Sequence, residues 1–259
     1  MILGIDFGSS YTDFVLMNNK KLIKSLSIKS DKLNLDRALK NFPLKKISLI
    51  KVTGCGAEKL KKKLKGIPIK KVDEIRAIGI GGKFISNENK ILVASIGSGT
   101  CIVSVDKQIK HVSGIPIGGR TFLGFSRLLL KKDDCNEIFN LAEKGDLSRV
   151  DLLMKEIYPN RIGLLNSKGS AAHFGNIKNP KKSDLALALI NMISQTIGTV
   201  VAMAAKSENH KTIVFTGKLS QSKLIQEMIR NRILKFYKAK ILFPNNAAVA
   251  TAIGAIIAD

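Results

Sequence analysis

Two short turns in the sequence combine small residues, backbone amides and hydroxyl groups in a way that suits phosphate binding. The first turn lies in "GIDFGSSYT" and the second in "SIGSGTC". Their candidate phosphate-binding residues are Gly8, Ser9 and Ser10 in the first turn and Gly97, Ser98, Gly99 and Thr100 in the second. Amides in such a turn point outward together, and no bulky side chain blocks a phosphate oxygen. Two such turns facing each other across a cleft would clamp a nucleotide.

Further glycine-rich stretches strengthen this interpretation. Gly118 and Gly119 lie in "SGIPIGGRT", and Gly217 lies in "FTGKLS". Neither of the first two turns is a Walker A loop, which needs GxxxxGK[ST] at the start of a helix. One turn of Gly and Ser most often only joins two hairpin strands, whereas several in one chain favour a nucleotide site.

Strands must deliver the chain to these turns and carry it away. The first third predicts strand, turn, strand and helix, then a strand at "KISLIKVTGCG", a basic helix at "AEKLKKKLKG" and a helix over residues 72–85. "KILVASIGSGTCIVSVDKQIKHVSG" has the same plan as the opening, which predicts a duplicated α/β fold. We place the boundary between the two lobes near residues 86–90, which gives lobes of residues 1–88 and 89–259.

The rest of the chain is predicted to be mainly helical. Helices are expected at "NEIFNLAEKG", at "DLSRVDLLMKEIY" and over residues 183–206, the last of these buried on more than one side. A strand at "KTIVFTGKL", a helix at "SKLIQEMIRNRILKFY", a strand at "KAKILFP" and an apolar helix close the chain.

Composition indicates a soluble cytoplasmic protein without a metal or disulfide framework built on cysteine. Hydrophobic residues make up 45% of the 259 residues, and we expect no apolar run long enough for a membrane span. The start of the chain lacks the pattern of a signal peptide. Cys55, Cys101 and Cys135 lie far apart and form no CxxC pair, which fits a reduced compartment.

The formal net charge of +23 raises the question of nucleic acid. The lysines are spread over the chain, aromatic residues make up only 5% of it, and no recognition motif for DNA or RNA is present. We therefore expect neither nucleic acid nor membrane as a partner, and the basic surplus would instead attract anionic ligands.

The motifs together resemble those of type II pantothenate kinases over nearly the whole chain. They are, in the order found in that family, "GIDFGSS", "TGCGAEKL", "VDEI", "SIGSGTCIVSV", "HVSGIPIGGRTFLG", "LAEKGDLSRVDLLMKEIY" and "GSAAHFGNI". The resemblance implies the duplicated ribonuclease H-like fold of actin-like ATPases, with two lobes around a nucleotide cleft. It also implies phosphorylation of pantothenate by ATP with Mg²⁺, the first step of coenzyme A biosynthesis. The family further implies a homodimer formed through helices of the second lobe, often inhibited by acyl-CoA.

The resemblance also assigns roles to single residues. Asp6 would hold Mg²⁺ through water, and Glu74 would take the proton from the hydroxyl of pantothenate, although the adjacent Asp73 is an alternative base. The two turns, with Gly118, Gly119 and Gly217, would surround the nucleotide. Substrate contacts would come from Cys101, His111 and Ser113, while His173 and Asn176 would at most line the pocket.

Three departures from the family concern charge and substrate contact. Asp13 stands where relatives have a lysine, and His111 stands where they have an arginine, so two positive charges are missing near the phosphates. Arg120, in "GGR" where relatives have "GGG", is a hypothetical replacement for the lost arginine. Cys101 occupies the position of a serine that contacts the substrate, and packing alone would also explain it.

Three other functions remain open at this point. One is a kinase of the same fold acting on a sugar or an amino sugar. Another is a nucleotide-binding regulator without kinase activity, which would account for Asp13 and His111. The third is an ATP-driven activator of a radical dehydratase, although the cysteine spacing does not suit the iron–sulfur cluster of such an activator.

Overall fold

Two β-sheets form the frame of the protein in the computed structural model, which describes residues 1–158 and 169–259. The strands of the first sheet are β1 (Ile2–Phe7), β2 (Tyr11–Asn18), β3 (Lys21–Lys29), β4 (Leu49–Thr53), β5 (Lys63–Leu64) and β6 (Ile67–Lys71). Those of the second sheet are β7 (Ile91–Ile96), β8 (Thr100–Val105), β9 (Ile109–Ile115), β12 (Thr212–Thr216) and β13 (Lys240–Leu242). The short strands β10 (Leu152–Leu153) and β11 (Ser170–Ala172) pair separately.

The two sheets share one topology, as the repeated sequence pattern predicts. The order is β3-β2-β1-β4-β6-β5 in the first sheet and β9-β8-β7-β12-β13 in the second. In each sheet three consecutive antiparallel strands are followed by two strands that run parallel to the first of them. The turns after β1 and β7 are therefore equivalent, and each Gly/Ser turn lies at the carboxyl end of the corresponding inner strand of its sheet.

Helices cover the sheets. They are α1 (Leu35–Leu39), α2 (Glu74–Ser86), α3 (Gly119–Leu130), α4 (Cys135–Ala142), α5 (Met154–Ile157), α6 (Lys182–Ser207), α7 (Lys223–Phe236) and α8 (Ala250–Ile257). The apolar side chains of α6 form the centre of the largest core, together with α3, α4 and α7. By length and composition α6 could cross a membrane, contrary to our expectation from the sequence, but most of it is buried inside the protein. Its apolar character is accounted for by its place in the core.

Helices α2 and α8 pack against each other between the sheets. A Cβ atom on Gly254 would lie 1.8 Å from the carbonyl oxygen of Ala77, and one on Gly81 would lie 2.1 Å from that of Ala250. Only glycine permits this approach. Because α8 also packs on β1 and β4, the last helix contacts the first sheet, and the predicted division at residues 86–90 stays a prediction.

One predicted feature of the first lobe is wrong. The segment "AEKLKKKLKG" forms a 3-10 turn followed by β5 rather than a basic helix. A two-residue turn with positive φ reverses the chain at Lys65–Gly66, as another does at Asn19–Lys20 between β2 and β3. Such turns match the twist of a hairpin and outweigh the helix propensity of lysine.

The predicted helix at "DLSRVDLLMKEIY" is also wrong. The segment forms a 3-10 turn, β10 and the single-turn helix α5. Asp151 is fully buried and accepts hydrogen bonds from Ser170 Oγ at 2.5 Å, from the amide of Phe174 at 2.9 Å and from Asn191 Nδ2 at 3.1 Å. A buried carboxylate needs such partners, and they fix the chain in an irregular path.

Candidate active site

Two cavities of about 460 and 480 Å³ open between the sheets and meet at the Gly/Ser turns. The residues that line both cavities are Asp6, Gly8, Ser9, Ser95, Gly97, Ser98 and Thr251. The first cavity continues towards α3, α4 and Gly217, and the second towards Glu74 and β9. A ligand in one cavity can therefore meet a ligand in the other beside the residues that both cavities share.

The two turns touch across the cleft. Ser98 Oγ lies 2.5 Å from Ser9 Oγ and 3.1 Å from Ser10 Oγ. The start of α3 closes on the second turn, because the amide of Gly119 donates to the carbonyl of Gly97 at 2.7 Å. A Cβ on Gly118 would lie 2.5 Å from the carbonyl oxygen of Gly99, so this contact needs glycine. The predicted pair of facing turns is thus present, with hydroxyl groups directed into the gap.

Asp6, at the end of β1, has a carboxylate with an unusual environment. Its Oδ1 is buried and accepts no hydrogen bond from any residue that the structure describes. The pKa of Asp6 is raised to about 7, chiefly by burial and then by the nearby carboxylates of Asp13 and Glu74, while Lys218 acts to lower it. An unpartnered carboxylate oxygen among other acids fits a site for a hard cation such as Mg²⁺, which is bound by one or two carboxylates and several waters. The residues present therefore fit the expected magnesium site.

Glu74 and Asp73 have different roles at the start of α2. Asp73 caps the helix, since its Oδ1 accepts a hydrogen bond from the amide of Arg76 at 2.8 Å. Glu74 lines the second cavity, and Asp73 does not. Partial burial raises the pKa of Glu74, and repulsion from Asp73 raises it further. A carboxylate with a raised pKa at a cavity wall is suited to accept a proton.

The expected substrate-contacting residues lie on β8 and β9. Cys101 and His111 line the second cavity, whereas Ser113, also on β9, lines neither cavity. Burial raises the pKa of the Cys101 thiol to about 11, with a further contribution from the Glu74 carboxylate. The Cys101 thiol is therefore neutral at physiological pH, and it lines the cavity without acting as a nucleophile.

The first cavity does contain a cation, although Asp13 stands where the family has a lysine. The ammonium group of Lys218 donates to both carboxylate oxygens of Asp13, at 2.6 and 2.8 Å. Lys218 lies 205 residues away along the chain and lines the first cavity. The only local sign of this pair in the sequence is the position of Lys218 directly after Gly217.

Several other predicted residues lie outside the two cavities. The Arg120 side chain is exposed at the start of α3 and lines neither cavity. His173 Nδ1 lies 3.1 Å from the buried Asp151, and Asn176 donates to Glu156 at 2.9 Å, so both belong to the structural network around β10 and β11. The resemblance did not indicate the far wall of the first cavity. Its apolar members include Leu123, Phe139 and Leu219.

Comparison with known families and curated proteins gives one consistent result. The family model described as Fumble matches residues 86–258. The chain is 35% identical over 139 residues to pantothenate kinase 2 of Arabidopsis thaliana, covering 49% of this chain and 15% of the plant protein. It is 29% identical over 175 residues to the type II pantothenate kinase of Oceanobacillus iheyensis, covering 65% of this chain and 64% of that protein. The aligned part thus spans less than two thirds of the length of these relatives.

Solved structures share the architecture. The activator of the 2-hydroxyisocaproyl-CoA dehydratase from Clostridium difficile, with bound ADPNP, superposes with a TM-score of 0.67 at 17% identity, covering 98% of this chain and 92% of the activator. A ROK family glucokinase from Streptomyces griseus in complex with glucose and AMPPNP gives a TM-score of 0.61 at 9% identity, covering 98% and 97%. At these identities the likeness concerns the fold alone, and it confirms the predicted two-lobed, actin-like α/β fold.

Proposed function

This chain belongs to the Fumble family, and we propose that it transfers the γ-phosphoryl group of ATP to the terminal hydroxyl of pantothenate. The observation that carries the proposal is the pair of cavities that meet at Asp6 and the two Gly/Ser turns. A phosphoryl donor and an acceptor can then occupy separate spaces and react where those spaces join.

The lining of each cavity supports the assignment of a ligand to it. The first cavity combines apolar side chains, which suit a nucleobase, with Ser10 and Lys218, which suit phosphates. The second cavity contains Glu74, Cys101 and His111 and ends at the same turns. We therefore assign the first cavity to ATP and the second to pantothenate, and the ATP analogues bound by the two solved relatives support the nucleotide assignment.

Phosphoryl transfer depends mainly on positioning and on stabilising charge. The hydroxyl oxygen of the acceptor would attack the γ-phosphorus in line, its proton would pass to the Glu74 carboxylate, and ADP would leave. The raised pKa of Glu74 brings it closer to the acidity at which proton transfer is efficient. The hydroxyl groups of Ser9 and Ser98, which face each other 2.5 Å apart, would separate to donate to the phosphate between them.

We include Mg²⁺ in the proposal as the cofactor. Asp6, whose Oδ1 is buried without a partner, would hold the ion, directly or through water. A bound magnesium ion would neutralise charge on the phosphates. Asp6 lines both cavities and would therefore hold the positive charge of the ion at their junction.

The experiment is a coupled assay of phosphate transfer from ATP to a panel of acceptors that includes pantothenate, glucose and N-acetylmannosamine. Pantothenate should give the highest kcat/KM. Glu74→Gln should lower kcat about 10²- to 10⁴-fold, whereas the matched variant Asp73→Asn, which keeps the helix cap, should stay within a few-fold of wild type. Faster transfer to a sugar would favour the alternative kinase, and ATP binding without transfer to any acceptor would favour the regulator.

Three finer properties are part of the same proposal. We expect a homodimer, for which the exposed Phe125, Leu128 and Met203 on helices of the second lobe offer apolar surface, and light scattering after gel filtration would test it. We expect inhibition by acyl-CoA, which titration into the kinase assay would test. We also expect a cytoplasmic protein, which fractionation of its native cell would test.

A further inference from the structure

One cation serves a nucleotide site that is otherwise acidic. The chain has 43 lysine and arginine residues, yet among those whose side chains the structure describes, Lys218 is the one that lines either cavity. The same cavities contain the carboxylates of Asp6, Asp13 and Glu74. A polyphosphate entering this space needs a positive charge from the protein, because three acids would otherwise repel it.

The backbone before Lys218 fixes its position. Gly217 has a φ of +90°, and a Cβ at this residue would lie 2.2 Å from the carbonyl oxygen of Ile96. The chain can therefore turn at this point, against the end of β7, only with glycine. This turn directs Lys218 across the cleft to the first lobe.

Two groups, the Asp13 carboxylate and the Tyr11 ring, hold the side chain of Lys218 once it has crossed. Its Nζ donates to Asp13 Oδ1 at 2.6 Å and to Oδ2 at 2.8 Å, and it lies 4.6 Å from the centre of the Tyr11 ring. The Asp13 carboxylate is itself held by the hydroxyl of Ser27. Asp13 is nearly buried, whereas the Lys218 side chain keeps 30% of its surface exposed and faces the first cavity.

A lysine held in this way is ready to bind phosphate. A free lysine loses rotamer entropy when it is fixed on a ligand, and a carboxylate that already orients the ammonium group removes most of that cost. Protein kinases use a lysine paired with a glutamate in the same manner to bind nucleotide phosphates. We propose that Lys218 binds the phosphate groups of the nucleotide and that Asp13 positions it from the opposite lobe.

This inference rests on the proposed function only in that the first cavity holds the nucleotide. The test is the binding of ATP and of adenosine to the full-length protein by calorimetry, with Mg²⁺ and without any acceptor. Lys218→Met should weaken ATP binding about 10- to 100-fold and change adenosine binding less than twofold, and Lys218→Arg should recover most of the ATP affinity. Asp13→Asn should weaken ATP binding several-fold with adenosine again unchanged.

Lys211 offers a matched control. Its ammonium also lies 4.6 Å from the centre of a tyrosine ring, that of Tyr237, but it lines neither cavity. Lys211→Met should bind ATP as the wild type does.

The outcomes separate the two proposals. Unchanged ATP affinity in Lys218→Met, or an equal loss of ATP and adenosine affinity, would overturn the inference. Lys218 and Asp13 would then form only a structural ion pair between the lobes. ATP binding to the wild type with no transfer to pantothenate would defeat the proposed acceptor and leave the role of Lys218 standing. A wild-type protein that binds no ATP would overturn both.

Discussion

The carboxylate of Asp6 should make the ligand-free protein less stable at neutral pH than its amide counterpart. Asp6 has a buried oxygen without a partner and lies near Asp13 and Glu74. Asp6→Asn keeps the shape of the side chain and removes its charge. We therefore expect this variant to be more stable than the wild type wherever Asp6 is ionised in the folded state.

The size of this difference in the free energy of unfolding follows from the pKa of Asp6, which rises from 3.8 to about 7 on folding, chiefly through burial. Because the folded state holds the proton more tightly, the wild type loses stability as the pH rises through this window and loses no more above it. A rise of this size corresponds to about 4 kcal/mol at pH 8 and about 1.5 kcal/mol at pH 5. Water in the adjoining cavities screens part of the cost, so about 4 kcal/mol is an upper limit.

The assay is urea denaturation of the wild type and of Asp6→Asn at pH 5 and pH 8 without divalent cations. The advantage of the variant should grow with pH, and Mg²⁺ added at pH 8 should stabilise only the wild type and narrow the difference. Equal stability of the two proteins at pH 8, or a difference that does not change with pH, would refute the account of Asp6 as a desolvated carboxylate.

Three further predictions concern packing and reactivity. Gly254→Ala should lower the free energy of unfolding by about 1 to 3 kcal/mol in urea denaturation, since the new Cβ would lie 1.8 Å from a carbonyl oxygen of α2; a smaller loss would mean that the two helices can separate easily. Lys51→Met should cost about 2 kcal/mol in the same assay, because the buried Lys51 ammonium donates to the carbonyl of Ile256 at 2.9 Å near the end of α8; an unchanged midpoint would contradict this. Iodoacetamide at pH 7.5 should label the exposed Cys55 well before Cys101, whose pKa is raised to about 11, and mass spectrometry of the peptides would measure the order; labelling of Cys101 first would contradict this.

The architecture can be predicted well from the sequence where a pattern is repeated, and poorly where a single turn or a distant partner determines the path of the chain. The strand–turn–strand plan occurs twice, so the duplicated sheets could be recognised without a structure. The hairpin turns at Asn19–Lys20 and Lys65–Gly66 lie among lysines that favour a helix equally well. The path around β10 depends on Asp151, whose partners Ser170 and Asn191 follow 19 and 40 residues later. Local periodicity carries no information about partners at that distance.

The candidate site shows the same contrast between residues that belong to a local motif and residues that only the fold brings together. Residues carried by a local motif, such as Asp6 and the Gly/Ser turns, lie together as expected, and Glu74 faces the second cavity. Arg120 was proposed from its position next to a glycine pair, but the geometry of a helix start directs its side chain to solvent. The cation came instead from Lys218, which only the pairing of the two lobes brings to Asp13.

The difference between equivalent positions in the two lobes would allow a duplicated fold to perform the asymmetric reaction that we propose. Asp6 at the end of β1 is paired in the sheet with Asp13, and Ser95 at the equivalent end of β7 is paired with Cys101. One wall of the cleft therefore carries two acids, while the other carries a hydroxyl and a thiol that burial keeps neutral. Acids would attract cations to the first wall, and uncharged groups would donate hydrogen bonds to phosphate oxygens at the second. Lys218, the one charged residue that the second lobe places in the first cavity among the described residues, crosses to the acidic wall, so the negative phosphates would lie between cations on one side and amides on the other.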